Sequence, residues 1–171
     1  MPANISIGQG LAVTPLHLIT GMAAVVNGGK LLSPYLVQEA VNVRGDVIYR
    51  GKRNVVREVL TSDTCEWLRK VMRETVLSGT GRLADTPVTE IAAKTGTAQV
   101  AEKGKYIKGR YVSSFVGFWP YHDPQYLMLL VIGEPSGGVY YGGELAAPAF
   151  KKIVESMADL EIFKSQGRET L

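Results

Sequence analysis

Apolar residues along this 171-residue chain recur at helical spacing in three stretches and at strand spacing in several others. Ile19, Met22, Ala23 and Val26 share one face of a 3.6-residue period, so residues 14–27 are predicted as a helix. Thr14 suits its N-cap, Pro15 its first turn and Gly28-Gly29 its end. Residues 31–43 read as extended, Arg44-Gly45-Asp46 as a turn, and Val47-Ile48-Tyr49 as the returning strand of a hairpin. A second helix opens near Thr61 or Asp63, where Asp63 and Glu66 have capping-box spacing. Leu68, Val71, Met72, Thr75 and Val76 form its apolar face, Arg69, Lys70, Arg73 and Glu74 its wet face, and Gly79 stops it.

Three strands are expected next, over residues 90–100, 111–119 and 126–132. The third is apolar on both faces, as a central strand covered on both sides should be. Pro120 to Pro124 form a short link and residues 101–110 a longer, Lys-rich loop. Such links favour antiparallel neighbours. A last helix begins near Glu144 to Pro148, with Phe150, Ile153, Val154, Met157 and Ala158 as its apolar stripe. From Lys164 onward the tail is polar and expected to fray. The fold class that follows is α+β, an antiparallel sheet with helices on its faces, in one domain without repeats or linkers.

Composition then narrows the chemistry. With 46% hydrophobic and 20% charged residues, the chain reads as a globular protein that buries a core. The net charge of +3 is a mild basic bias. Its densest cluster, Lys103, Lys105, Lys108 and Arg110, accompanies no nucleic-acid motif, so no nucleic-acid partner is expected. These cations would instead raise the local concentration of anionic substrates. The single cysteine, Cys65, excludes an internal disulfide and reads as a structural thiol. His17 and His122 stand far apart, and no cluster has metal-ligand spacing, so neither metal nor cofactor is expected. No glycine-rich phosphate loop is present, and Gly79-Thr80-Gly81 reads as a helix cap and turn. No stretch reaches the ~18 apolar residues that span a bilayer. Met1-Pro2-Ala3-Asn4 lacks the charged and apolar regions of a signal peptide, so no export or anchoring signal is expected within residues 1–171 as written.

The strongest candidate chemistry lies in Lys94-Thr95-Gly96-Thr97, inside the first of the three strands. Side chains alternate along a strand, so Thr95 and Thr97 share one face and Lys94 and Gly96 the other. Gly96 lets another group approach the backbone closely. Two hydroxyls, an ammonium and open N–H groups on one strand suit a carboxylate or a developing oxyanion.

The wider context carries a resemblance. Ser6-Ile7-Gly8-Gln9-Gly10, Val13-Thr14-Pro15-Leu16 and Ala24-Val25-Val26-Asn27-Gly28-Gly29 precede the Lys-Thr-Gly element. Ser113-Ser114-Phe115-Val116-Gly117-Phe118-Trp119-Pro120, Gly133-Glu134-Pro135, Tyr141-Gly142-Gly143 and Ala146-Ala147-Pro148-Ala149-Phe150 follow it. In order and spacing, residues 4–158 resemble the C-terminal part of the transpeptidase domain of class B penicillin-binding proteins, of the division and sporulation type. One departure is His17, where the family more often has Gln.

Two family elements are absent from the sequence. None of the nine serines is followed three residues later by Lys, and none of the four asparagines has Ser or Tyr two residues before it. In the family both elements precede the region matched here. The resemblance therefore implies that residues 1–171 are the last part of a larger protein, or the product of a truncated reading frame. The five-stranded family sheet would draw its other strands from the absent part. The same holds for the membrane anchor that keeps relatives on the outer face of the bacterial cytoplasmic membrane.

The activity implied is acyl transfer from D-Ala-D-Ala stem peptides of peptidoglycan, with β-lactams acylating the same Ser. Division proteins are the partners the resemblance suggests. Lys94 would supply positive charge and help proton transfer. The Thr95 and Thr97 hydroxyls would bind the terminal carboxylate, and the Thr97 N–H would be one of two oxyanion donors. Gly96 would leave room for the nucleophile, and the Thr97 and Gln99 backbone would pair with extended substrate as an added strand. Gly133-Glu134-Pro135 and Tyr141-Gly142-Gly143 read as structural; Gly8-Gln9-Gly10 reads equally as a turn or a cleft wall. A D,D-carboxypeptidase, a β-lactamase relative and a catalytically inert fragment are the other readings. The chain alone, lacking the nucleophilic Ser, is expected to be inactive.

Overall fold

The computed structural model describes residues 11–102 and 104–163. Gly8-Gln9-Gly10, Lys103 and the tail from Lys164 lie outside them. At the centre is a three-stranded antiparallel sheet of β5 (Ala92–Glu102), β6 (Lys105–Trp119) and β7 (Tyr126–Gly133), in the order β5-β6-β7. Register is continuous from Ala92↔Phe118 to Gln99↔Tyr111 and from Val112↔Gly133 to Trp119↔Tyr126. The expectation that residues 126–132 form a central strand is corrected: among the described residues β6 is central and β7 an edge, its Val131 43% exposed. The apolar pattern showed two coverable faces but not which neighbours pair. Residues 101–110 are not a long loop either; β5 and β6 run past the sheet as a ribbon, with Glu102 opposite Lys105.

Each sheet face is covered by a helix. On one lies α3 (Gly142–Asp159), whose Ala146, Ala147, Phe150 and Val154 pack with Ile91, Ala93, Phe115 and Trp119. Phe150 meets Phe115 at 4.9 Å and Trp119 edge-on at 5.6 Å, arrangements that suit the ring quadrupoles. Ile153, assigned to the apolar stripe, is 38% exposed, because the buried stripe runs through Val154 instead. On the other face, Met22 and Val26 of α1 (Pro15–Val26) reach Ala92, Phe118 and Met72. Helix α1 begins as its sequence requires. Thr14 Oγ1 accepts from the His17 N–H at 3.2 Å, Pro15 occupies the first turn, and the Gly29 N–H bonds Ala24 O. Gly28 and Gly29 have φ of 84° and 100°, and a side chain on Gly29 would strike Leu60 O.

Helix α2 (Ser62–Leu77) is capped by Thr61, whose Oγ1 accepts from the Thr64 N–H, and not by Asp63. Its assigned faces need two corrections, the first at Val71, placed on the apolar face but 43% exposed because the buried stripe runs through Met72. Cys65, Met72 and Val76 are buried as an apolar stripe, but Arg73, placed on the wet face, is also buried. Arg73 Nη1 donates to Ile91 O at 2.7 Å and lies 3.6 Å from Asp85; Nη2 lies 3.7 Å from Glu90. Sequence spacing cannot reveal such partners, which come from the α2–β5 connection. Cys65 is buried, with its thiol toward Ala24 O, and burial pushes its pKa up against the opposing influence of Arg69.

Residues 30–58 form two ribbons beside this core. β2 (Glu39–Val41) and β3 (Val47–Arg50) make the expected hairpin, its turn closed by Asn42 Oδ1 accepting from the Arg44 and Asp46 N–H groups. β1 (Lys30–Leu32) pairs with β4 (Val55–Glu58), a strand the sequence reading left unassigned. The extended run predicted over 31–43 is thus divided between two sheets.

Candidate functional site

Strand β5 presents the Lys94–Thr97 run at the edge of the sheet, since among the described residues β5 pairs with β6 alone. The two predicted faces are found. Thr95 and Thr97 continue the Ala93 face, toward α3. Lys94 and Gly96 continue the Ala92 face, toward α1. Lys94 Nζ donates to Thr95 O at 2.8 Å. That carbonyl points away from β6, and in an antiparallel strand alternate residues turn both N–H and C=O to the same edge. The Thr97 N–H therefore shares the free edge with Thr95. Gly96 is held to its identity by a neighbour: a Cβ there would strike Ser114 Oγ on the paired strand. Gln99 lies two residues beyond Thr97, opposite Tyr111, and outside the cavity that the threonines line.

That cavity, of about 310 Å³, is lined by Thr80, Arg82, Leu83, Thr95, Thr97 and the start of α3, Tyr141 to Glu144. Two contacts fix the hydroxyls. Thr95 Oγ1 lies 2.8 Å from Thr80 Oγ1, and Thr97 Oγ1 accepts from the Gly142 N–H at 3.0 Å. With Tyr141 offering no side-chain cap, Thr97 satisfies one of the orphan donors at the N-terminus of α3. The two glycines that open α3 allow the close fit. A Cβ on Gly142 would lie 2.6 Å from Ser114 O, and one on Gly143 would strike Thr80 O. The positive end of the α3 dipole thus faces the threonine pair.

Thr80, Tyr141, Gly142 and Gly143 belong to the site, although sequence reasoning gave them only cap, turn and helix-start roles. A short Gly-Gly start directly after a strand–loop segment was the available signal. Thr80 carried none, because its pairing with Thr95 spans 15 residues across a loop. Within the Lys-rich ribbon Arg110 is paired with two carboxylates. Arg110 bonds Glu134 through Nε and Nη2, both at 2.7 Å, and Glu102 through Nη1 at 2.6 Å. The bond from Arg110 holds the Glu134 carboxyl below the usual range. Glu134 has φ of 47°, so Gly133-Glu134-Pro135 ends β7 in a constrained turn tied across the sheet. Beside it Tyr111 and Tyr140 stack at 4.0 Å, and the bond that Tyr140 donates to Tyr141 pushes its pKa up to about 12.

The α+β core thus displays two threonine hydroxyls lining a cavity, with the Lys94 ammonium and strand amides along the free sheet edge. Sequence comparison identifies the family: the chain belongs to the penicillin binding protein transpeptidase domain family, whose pattern matches residues 2–155. Stage V sporulation protein D of Bacillus subtilis is 32% identical over 162 residues, covering 94% of this chain and 25% of that protein. The peptidoglycan D,D-transpeptidase FtsI homolog of Mesostigma viride is 32% identical over 168 residues, covering 91% and 28%. Penicillin binding protein 3 of Mycobacterium tuberculosis, solved in complex with ampicillin, superposes with a TM-score of 0.82 at 28% identity, covering 98% of this chain and 39% of that one. The chain thus spans about a quarter of the length of these curated relatives.

Proposed function

We propose that this chain forms one wall of a serine-type peptidoglycan D,D-transpeptidase site, the nucleophile coming from sequence outside residues 1–171. The observation that carries this reading is the pair Thr95 and Thr97. Both hydroxyls line the cavity; Thr97 Oγ1 accepts from the Gly142 N–H at 3.0 Å and so keeps its proton, and Thr95 Oγ1 lies 2.8 Å from Thr80 Oγ1. Two residues on a strand are about 6.6 Å apart. A carboxylate accepting an O–H···O bond of about 2.7 Å at each oxygen bridges that span. The substrate this fits is a D-Ala-D-Ala terminus of a stem peptide, with β-lactams occupying the same place.

In this reading Lys94 supplies charge at the edge and assists proton transfer. The Thr97 N–H is an oxyanion donor, worth about 10²–10³ in rate for donors of this kind. Gly96, without a side chain, leaves room where the nucleophile approaches, and Gln99 continues the edge along which extended substrate pairs. The site faces the outside of the cytoplasmic membrane, and division proteins are its partners. Among the described residues no helix is long and apolar enough to cross a membrane.

The test uses two polypeptides. One is the 171-residue chain; the other joins it to the preceding segment of the transpeptidase domain of Stage V sporulation protein D. Fluorescent penicillin labels the joined protein covalently and leaves the short chain unlabelled, since no serine here has the Ser-x-x-Lys context. Replacing Thr95 and Thr97 together by Val reduces labelling of the joined protein at least tenfold. Labelling of the short chain, or indifference of the folded joined protein to both valines, overturns the assignment.

A further inference from the structure

We infer that Thr80 is a positioning residue that makes Thr95 a hydrogen-bond donor toward the substrate carboxylate. The inference rests on the proposed function and extends it to a residue outside the Lys-Thr-Gly run. A hydroxyl has one proton and two lone pairs. A carboxylate only accepts, so a threonine that binds it must point its proton outward. At Thr97 the choice is settled by the backbone: Gly142 N–H occupies a lone pair of Oγ1, and the proton is left for the cavity.

At Thr95 the neighbour is another hydroxyl, 2.8 Å away, and either can donate. If Thr95 donates to Thr80, its proton is spent. If Thr80 donates to Thr95, the chain Thr80 O–H···Thr95 O–H···carboxylate forms, each bond strengthening the next. An anion in the cavity selects the second arrangement. The two threonines are then matched, each with its oxygen occupied by a donor behind it and its proton turned toward the ligand.

Thr80 is held for this task by its surroundings. It follows α2 between Gly79 and Gly81, with the Gly81 N–H bonded to Thr75 O at 2.9 Å, and Gly143 packs on its carbonyl. Its hydroxyl therefore has a fixed origin relative to both β5 and α3.

The experiment uses the joined polypeptide with benzylpenicillin and with its methyl ester, which has no free carboxylate. Thr80→Val, which exchanges hydroxyl for methyl at constant shape, is expected to lower the acylation rate constant for the acid about tenfold, the size of one such bond. Thr80→Ser retains the parent rate within about twofold. With the ester, Thr80→Val and parent react alike. A Val variant as fast as parent on the acid, while Thr95→Val is slow, overturns the role of Thr80 and leaves the wall assignment standing. An equal loss on acid and ester also overturns it, since that is the mark of a general structural defect. If Thr95→Val itself is without effect, this inference and the reading beneath it both fail. Melting curves of the 171-residue variants identify any loss that comes from unfolding.

Discussion

Arg73 carries a full charge inward with 6% of its surface exposed, and its bond to Ile91 O pins the residue that leads into β5. Removing one partner of a buried charged contact strands the other, at a cost of about 3 kcal/mol. Arg73→Met in the 171-residue chain is expected to lower Tm by about 10 °C, read by circular dichroism. A change under 2 °C would show that Asp85 and Glu90 do not need it. The residue also marks a limit of sequence legibility. Helical periodicity grouped Arg73 with Lys70 and Glu74 on the wet face, but its burial depended on carboxylates and a carbonyl 12 to 18 residues away. The faces of Thr95, Thr97, Lys94 and Gly96 were legible because strand alternation is a local rule. The partners that orient the two hydroxyls, Thr80 and Gly142, were not, because loops and helix starts place them.

At the level of elements, the junction of β5 and α3 depends on the absence of a side chain at Gly142. Gly142→Ala brings a Cβ against Gly96 O and Ser114 O, and overpacking of this kind costs about 2 kcal/mol. The expected outcome is a helix start displaced from Thr97, with a lower Tm and faster hydrogen exchange at residue 142; unchanged exchange there would refute the close fit. The β5–β6 ribbon is held differently, by Arg110 between Glu102 and Glu134. The Glu134 carboxyl titrates below its ordinary value in the folded chain, so its contribution is present at neutral pH and lost as pH falls through that depressed pKa. Amide exchange protection near Tyr111 should therefore weaken on acidification, and Glu134→Gln should remove that pH dependence. Helix ends, with Thr14 and Gly28, were readable because capping chemistry is written in neighbouring residues. The short strand β4 was not, since it is exposed along its length and pairs with β1 across 23 or more residues.

For the whole molecule, the family fold is present but its surfaces are open. Both outer strands of the central sheet have a free edge among the described residues, and the ribbons at 30–58 are two-stranded. Leu36 and Val43 are fully exposed, and Trp67 is 62% exposed. Free edges and apolar patches favour association. The 171-residue chain is expected to self-associate at micromolar concentration, with sedimentation showing concentration-dependent species, whereas the joined polypeptide stays monomeric. A monomeric short chain would mean that these edges are protected in solution. The α+β class, the three strands of the central sheet, the β2–β3 hairpin and the three α-helices among the described residues followed from periodicity and turn residues; the sheet order did not, because β6 became central only through pairing.

The bond from the Gly142 amide to the Thr97 hydroxyl has a practical consequence. Whatever accepts a hydrogen bond from that hydroxyl makes its oxygen a stronger acceptor and so changes the magnetic environment of one amide in the first turn of α3. A single 15N-labelled glycine could thus serve as a built-in reporter of occupancy. It would distinguish compounds that engage the threonine pair from those that merely lodge nearby, without any reaction taking place.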